Sequence, residues 1–276
     1  MEYKKCPCCE INYIIRDKEL ICKNCLKSPQ GKDFIIKHLP PEKIERLKKL
    51  KEEKERQRAE AQRQQKRIAR EVLLRHLESF GFEGFLHTAD FKNFIKIFKS
   101  GKLMSRVELT NKKIKFIDNA EPGVIENTPQ IYKMYTRFYY RPKTPTNYAA
   151  YKYHNQKNPV LMVFSKELIN YEDTFFTNGC AAASRTIKTR DAEFALNFNW
   201  KEIFRDDPFT PEEITRNAFG VGPKNFRNAE FLYGKSVETK KIKKVYFKNL
   251  EDYRSAIRIF GRDSRFEYNS DKFYGG

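Results

Sequence analysis

The sequence lacks a long apolar run. Its longest, Val160–Phe164, falls far short of the roughly 20 residues needed to span a bilayer, so a membrane-spanning helix is not expected. Met1 is followed by charge and cysteine rather than by a basic stretch and an apolar core, so no secretory leader is expected. The cysteines of such a cytoplasmic chain should be reduced or metal-bound. G-x-G-x-x-G and G-x-x-x-x-G-K-[ST] are both missing, which argues against a Rossmann site and a P-loop. Histidine occurs only as His38, His76, His87 and His154, with no H-E-x-x-H, which argues against a hydrolytic metal centre; the absence of G-x-S-x-G argues against an α/β hydrolase.

What is abundant is positive charge. The 276 residues carry 55 Lys and Arg against 36 Asp and Glu, a net charge of +19, which points to a polyanionic partner. With 23 Phe and 15 Tyr the chain is too aromatic for disorder, and it is long enough for one large domain or two modest ones. Net charge is positive in each of three zones. Residues 1–40 carry the cysteines, and residues 41–80 read as a charged helix with no Gly and no Pro after Pro41. Residues 81–276, rich in Phe, Tyr and β-branched residues, read as the globular domain.

Cys6, Cys9, Cys22 and Cys25 form C-x2-C-x12-C-x2-C, the spacing of a structural zinc ribbon in which four thiolates close a tetrahedral site. Cys8 is an extra thiol that could replace a neighbour. Cys180, set among alanines, reads as a small buried residue. In the middle zone Glu45 with Lys49, Glu52 with Arg56 and Glu71 with Arg75 are i,i+4 pairs that support a solvated helix. Ile44, Leu47 and Leu50 are followed by no further apolar position until Ile68, Val72, Leu73, Leu74 and Leu77, so the ends of this helix can pack and its middle cannot. It reads as a spacer between modules, or as a helix whose last three turns lie against the following domain.

In the third zone Phe91–Ser100 has helical apolar spacing and ends at Gly101. Val160–Phe164, Phe194–Phe198, Glu230–Tyr233 and Ile242–Phe247 read as strands, and Asp252–Ile259 as a helix. This irregular mixture is α+β in class rather than doubly wound. Polar residues at the edges of the aromatic segments are the candidates for chemistry: His87 and Thr88, Arg141, Thr177, Asn178 and Ser184, and Glu230. Each has a plain structural alternative, as a satisfied core histidine, a loop charge or a solvent-facing strand carboxylate. Glu230 stands apart because Ala229, Phe231, Leu232 and Tyr233 flank it, a setting that would bury part of it.

Four segments, in order, resemble the DarT family of bacterial DNA ADP-ribosyltransferase toxins. They are His87–Asn93 leading to Gly101, the aromatic run into Arg-Pro-x-Thr-Pro at Tyr139–Pro145, Phe-Thr-x-Gly-x-Ala-Ala at Phe176–Ala182, and Ala-Glu-Phe-Leu at Ala229–Leu232. The resemblance covers roughly residues 85–247 and leaves the zinc ribbon and helix outside it. It implies an ADP-ribosyltransferase fold of two small sheets around a cleft for NAD. It further implies Glu230 and Arg141 as catalytic residues, and His87, Thr88, Asn93 and Tyr140 as contacts to NAD. Arg227 and Lys143 would contact the substrate. The family pattern His-Phe-Thr is here His87–Thr88, which shifts the threonine by one position, and Lys143 replaces a second arginine. The implied substrate is single-stranded DNA, with mRNA as a variant, in a toxin–antitoxin or phage-defence setting with an antitoxin partner. A non-catalytic zinc-ribbon nucleic-acid-binding protein and a protein ADP-ribosyltransferase are the readings from other classes.

Overall fold

The computed structural model describes residues 3–5, 12–14, 27, 29, 41–118, 120, 122–153, 158–208 and 222–275. Cys6, Cys8, Cys9, Cys22 and Cys25 lie outside the described residues, as do His154 and the stretch 209–221. The chain divides into two compact units, 1–65 and 66–276. Among the described residues no helix is long and apolar enough to cross a membrane.

In the first unit, β1 (Tyr3–Lys5) pairs antiparallel with β2 (Asn12–Ile14). Helix α1 spans Pro41–Glu78 and runs through the boundary between the units. Its early turns are solvated, and Lys49 meets Glu45 at 3.7 Å as the i,i+4 spacing predicts. Its last turns belong to the core of the second unit. Leu73 and Leu77 are fully buried, and Arg70 donates to the carbonyls of Tyr171 at 2.7 Å and Glu172 at 3.2 Å.

The second unit continues with β3 (Phe85–Asp90), α2 (Phe91–Ser100), β4 (Lys102–Leu103), α3 (Arg106–Asn111), α4 (Pro122–Asn127), α5 (Gln130–Lys133), β5 (Thr136–Tyr139), α6 (Pro145–Tyr153) and β6 (Pro159–Phe164). After a short 3-10 turn come β7 (Thr174–Thr177), β8 (Lys188–Thr189), α7 (Ala192–Ala195), α8 (Trp200–Phe204), α9 (Pro223–Phe226), β9 (Glu230–Tyr233), β10 (Val237–Glu238), β11 (Ile242–Phe247), α10 (Leu250–Phe260) and β12 (Phe266–Tyr268). Asp90 caps α2 by accepting from the Lys92 amide, and Gly101 closes it in the left-handed conformation that its lack of a Cβ allows. The α+β class is as expected.

One segment departs from the reading of the sequence. Phe194–Phe198 alternates like a strand, yet its first residues lie in α7 and Phe198 in the turn before α8. Asp191 accepts from the Glu193 and Phe194 amides and starts a helix, and burial falls on Ala195 while Phe194 stays exposed. Capping and a helical burial pattern override the period of two.

Among the described residues the main sheet has eight strands, in the order β12-β11-β6-β3-β5-β9-β7-β8, antiparallel except for β11 with β12. The two separate sheets that the resemblance implies are therefore one ladder. That ladder is pinched at its centre. β3 makes six residue pairs with β6, and β5 makes four with β9, but β3 and β5 share only Leu86 with Tyr139. One face packs phenylalanines into a core, with the rings of Phe85 and Phe231 stacked at 3.9 Å across the pinch.

Leu77→Ala should destabilise the protein by about 2–5 kcal/mol, the usual cost of emptying a packed leucine site, as read by urea unfolding. Leu50→Ala, at a position 46% exposed on the same helix, should shift it by no more than about 0.5 kcal/mol.

Candidate active site

Glu230 opens β9 and is 2% exposed, so its carboxylate must be compensated inside the protein. The Ala181 amide donates to Oε2 at 2.5 Å, and Arg137 Nη1 lies 3.5 Å from Oε1. Local sequence builds both supports. Thr177 Oγ1 accepts from the Glu230 amide at 2.8 Å, which aligns the ends of β7 and β9. The chain after β7 then turns around Asn225, whose Oδ1 accepts from the Cys180 amide at 3.1 Å and whose Nδ2 donates to Thr186 at 3.1 Å. A Cβ on Gly179 would fall 2.3 Å from that Asn225 amide nitrogen, so any other residue there would displace the side chain that braces the turn presenting the Ala181 amide.

The second support follows from strand alternation. Tyr139 is the register partner of Glu230, and Arg137, two residues earlier on β5, projects to the same face. Arg137 Nη2 also donates to Thr128 at 3.3 Å, which steadies the guanidinium. Tyr139 is held far above its ordinary range by burial and then by the charge of Glu230, so it remains a neutral phenol. Burial and Glu230 likewise push the Cys180 thiol up to about 11, which makes it a poor nucleophile at neutral pH.

His87 sits where the ladder parts. Its Nδ1 lies 3.0 Å from the Arg137 carbonyl, a group that can only accept, so Nδ1 carries the proton and Nε2 is left as an acceptor. The imidazole thus bridges β3 and β5 where backbone pairing stops. Burial lowers its pKa from 6.5 despite that hydrogen bond. Thr88 accepts from Asn147 Nδ2 at 3.1 Å, and the Asn228 side chain accepts from the Thr146 amide at 2.9 Å, tying α6 to the residues just before Glu230. Around these groups lies a cleft of about 270 Å³, lined among others by His87, Thr88, Arg137, Tyr139, Asn147 and Glu230.

Of the residues expected from the sequence, the structure brings His87, Thr88, Asn93 and Glu230 together in this cleft. Asn93 has a bracing role there, donating to the Ile117 carbonyl at 2.7 Å and accepting from the Ile117 amide at 3.0 Å. Tyr140, Arg141, Lys143 and Arg227 do not line the cleft. Tyr140 is buried edge-on against Trp200 at 5.0 Å, and burial raises its pKa. Arg141 donates to the carbonyls of Ile203 and Arg205 and pairs with Asp206. Arg227 pairs with Glu202 at 3.0 Å and donates to the Asp207 carbonyl at 2.5 Å. Both guanidiniums pin the segment that follows α8. Arg137, Tyr139, Asn147 and the Ala181 amide are additions to the sequence reading. The signal for Arg137 and Tyr139 was the alternation of β5 opposite Glu230.

The pKa of His87 makes a testable link to stability. Because the folded-state value lies below 6.5, the unfolded chain takes up the proton first as pH falls. Stability from this group is complete above about 6.5 and is lost below it. Urea titrations from pH 7.5 to 5 should show a shallower loss in His87→Asn than in the wild type, and nitrogen NMR at pH 7 should show a neutral ring protonated at Nδ1.

A family profile described as "DarT: ssDNA thymidine ADP-ribosyltransferase, DarT" matches residues 86–274. No curated protein sequence matches the chain significantly. Among solved structures, Thermus sp. 2.9 DarT in complex with ADP-ribosylated ssDNA is similar at 20% identity and a TM-score of 0.56, covering 69% of this chain and 95% of that one. The same Thermus protein in complex with NAD+ aligns at 20% identity with a TM-score of 0.53, over 69% and 96%. Thermosipho africanus DarTG in complex with ADP-ribose aligns at 16% identity with a TM-score of 0.57, over 70% and 51%. At these identities the structures establish a shared fold. The profile goes further: running from the strand that carries His87 to the tail beyond β12, it shows that the chain belongs to the DarT family of ADP-ribosyltransferases.

Proposed function

We propose that the protein transfers ADP-ribose from NAD to thymine in single-stranded DNA. The observation that carries this reading is the Glu230 carboxylate, buried at the cleft and fixed by the Ala181 amide and Arg137 within the region matched by the family profile. In the proposed reaction the bond between the nicotinamide nitrogen and C1′ of the ribose breaks and neutral nicotinamide leaves. A bond then forms from C1′ to thymine N3, the one ring nitrogen of a thymine nucleotide that bears a proton. Positive charge develops on the ribose, and an anion fixed in advance stabilises it electrostatically. Glu230 also takes the N3 proton. Arg137 holds the carboxylate in one orientation, and neutral His87 offers Nε2 as an acceptor to a hydroxyl or amide of NAD. In a duplex N3 is occupied by pairing, so the acceptor must be unpaired.

The net charge of +19 suits a phosphate backbone, and a basic surface by itself does not tell DNA from RNA. The DNA reading therefore rests on the family. A purely binding, non-catalytic protein does not accord with that family or with the held carboxylate. From the resemblance the reading extends to a toxin restrained by an antitoxin, in a toxin–antitoxin or phage-defence system. The three-part organisation, 1–40, 41–80 and 81–276, is part of the same proposal, with Cys6, Cys9, Cys22 and Cys25 holding a structural zinc ion. Four thiolates with this spacing fit zinc chemically, and in sequence the first pair falls between β1 and β2.

With labelled NAD, label should enter single-stranded DNA containing thymine and be absent from duplex DNA and RNA. Glu230→Gln should reduce kcat by about 10²–10³-fold and Arg137→Met by about 10²-fold through misplacement of the carboxylate. Labelling of RNA in preference to DNA would replace the substrate reading, and undiminished labelling by Glu230→Gln would remove the catalytic one. For the metal, elemental analysis of the intact protein should find one zinc per chain, lost in Cys22→Ser; a metal content unchanged by that substitution would refute the ribbon.

A further inference from the structure

The Ala181 amide that holds Glu230 sits in the loop of residues 178–187, between β7 and β8. This loop closes its own base. Asn178 Oδ1 accepts from the Ile187 amide at 2.8 Å, and the Asn178 amide donates to the Ile187 carbonyl at 3.2 Å. Lys188 Nζ adds bonds to the carbonyls of Ala183 and Thr186 at 3.2 and 3.1 Å. Two successive amides of the first turn, however, point out of the loop. That of Ala181 reaches the Glu230 carboxylate, and that of Cys180 reaches Asn225 Oδ1 on α9 at 3.1 Å.

Asn225 also precedes Glu230 on the same short stretch of chain. The Asn228 amide donates to the Asn225 carbonyl at 3.0 Å, and the Ala229 amide to the Phe226 carbonyl at 2.9 Å. The contacts therefore form a closed circuit: from the carboxylate to Ala181, across Cys180 to Asn225, and back along a hydrogen-bonded turn to the backbone of Glu230. A backbone amide can only donate, so the atom facing Cys180 is Oδ1, and donation from Nδ2 to Thr186 Oγ1 at 3.1 Å fixes that orientation. Asn225 neither lines the cleft nor belongs to the apolar core, so truncating it empties no packed apolar site.

We propose that Asn225 is a positioning residue: acting through the turn at Gly179–Ala181, it holds the Glu230 carboxylate in the place where positive charge develops. Its effect on rate rests on the transfer reaction proposed above. A carboxylate whose amide donor has shifted still meets bound NAD but is misplaced for the transition state, so Asn225 governs kcat rather than the affinity for NAD. Gly179 belongs to the same device, because a Cβ there would occupy the space of the Asn225 side chain.

In the DNA-labelling assay Asn225→Ala should lower kcat by about 10²-fold and change the KM for NAD by less than about three-fold. Asn225→Asp keeps an acceptor for the Cys180 amide and should stay within about ten-fold of the wild type. Gly179→Ala, which displaces the side chain instead of removing it, should lower kcat as Asn225→Ala does and provides a second variant. The double variant, in which the Cβ has room, should be no worse than Asn225→Ala alone. Losses that multiply in the double variant, equal impairment by Ala and Asp, or a raised KM with unchanged kcat would overturn the proposal. An NMR measurement separates it from the reaction. The Ala181 amide proton, bonded to a carboxylate, should lie downfield, and Glu230→Gln should move it upfield. Asn225→Ala should also move it upfield and speed its exchange about ten-fold, with the Lys92 amide, bonded to the Asp90 carboxylate, unchanged as a control. An unmoved Ala181 signal, or equal changes at both amides, overturns the assignment. If the wild type labels no nucleic acid while the Ala181 signal responds as expected, the transfer reading fails and Asn225 stands as the residue that positions Glu230.

Discussion

A carboxylate buried in a β-strand has to be compensated where it lies, and the architecture around Glu230 meets that requirement. One partner is a backbone amide, that of Ala181, presented by a turn that Gly179 permits and Asn225 braces. The other is the Arg137 guanidinium, placed on the same sheet face by the alternation of the neighbouring strand. Together the amide and the cation fix the carboxylate in one place, and burial raises the strength of both interactions. An anion fixed in this way needs no reorientation when positive charge develops beside it, the situation that loss of nicotinamide from NAD creates.

The pinch in the sheet is the second element of the design. A continuous ladder between β3 and β5 would close the ground on which the cleft opens. Instead the strands share one residue pair, and beyond it the His87 side chain takes over by hydrogen-bonding the Arg137 carbonyl. Arg137 therefore fixes Glu230 through its side chain and the His87 tautomer through its backbone. The stacked rings of Phe85 and Phe231 keep the half-sheets together, so the opening does not divide the core.

The arginines show how one residue type is divided between tasks. Arg70, Arg141 and Arg227 are buried and spend most of their donors on backbone carbonyls and carboxylates of neighbouring segments. Burial lowers the pKa of Arg70 and Arg141, opposed by the acidic neighbours that accept from them or lie close by. A planar fork that can satisfy several carbonyls at once is well suited to holding irregular segments in place. These arginines add to the formal charge of +19 without presenting it to a polyanion, so the charge available to a nucleic acid is smaller than the total suggests.

The amino-acid sequence by itself determined the elements with strong local signals. Helix α1 follows from an unbroken run of helix formers, α2 from its apolar period and Gly101, and β6, β9 and β11 from short apolar runs. Glu230 was legible because a lone carboxylate among Ala229, Phe231 and Leu232 is anomalous, and the resemblance placed His87 and Thr88 beside it. What only the tertiary structure decided was which arginine meets that carboxylate. Arg141 lies beside the conspicuous Pro142, and Arg137 has no marker of its own. The choice is set by the pairing of Tyr139 with Glu230, a register across more than 90 residues of chain that fixes which residues of β5 face the cleft. The end of α1 was decided in the same way. Leu73 and Leu77 have the spacing to pack, but whether they cap a spacer or enter a core depends on a surface formed by strands far along the sequence. Local periodicity specifies an element and its apolar side; only long-range pairing specifies what that side meets.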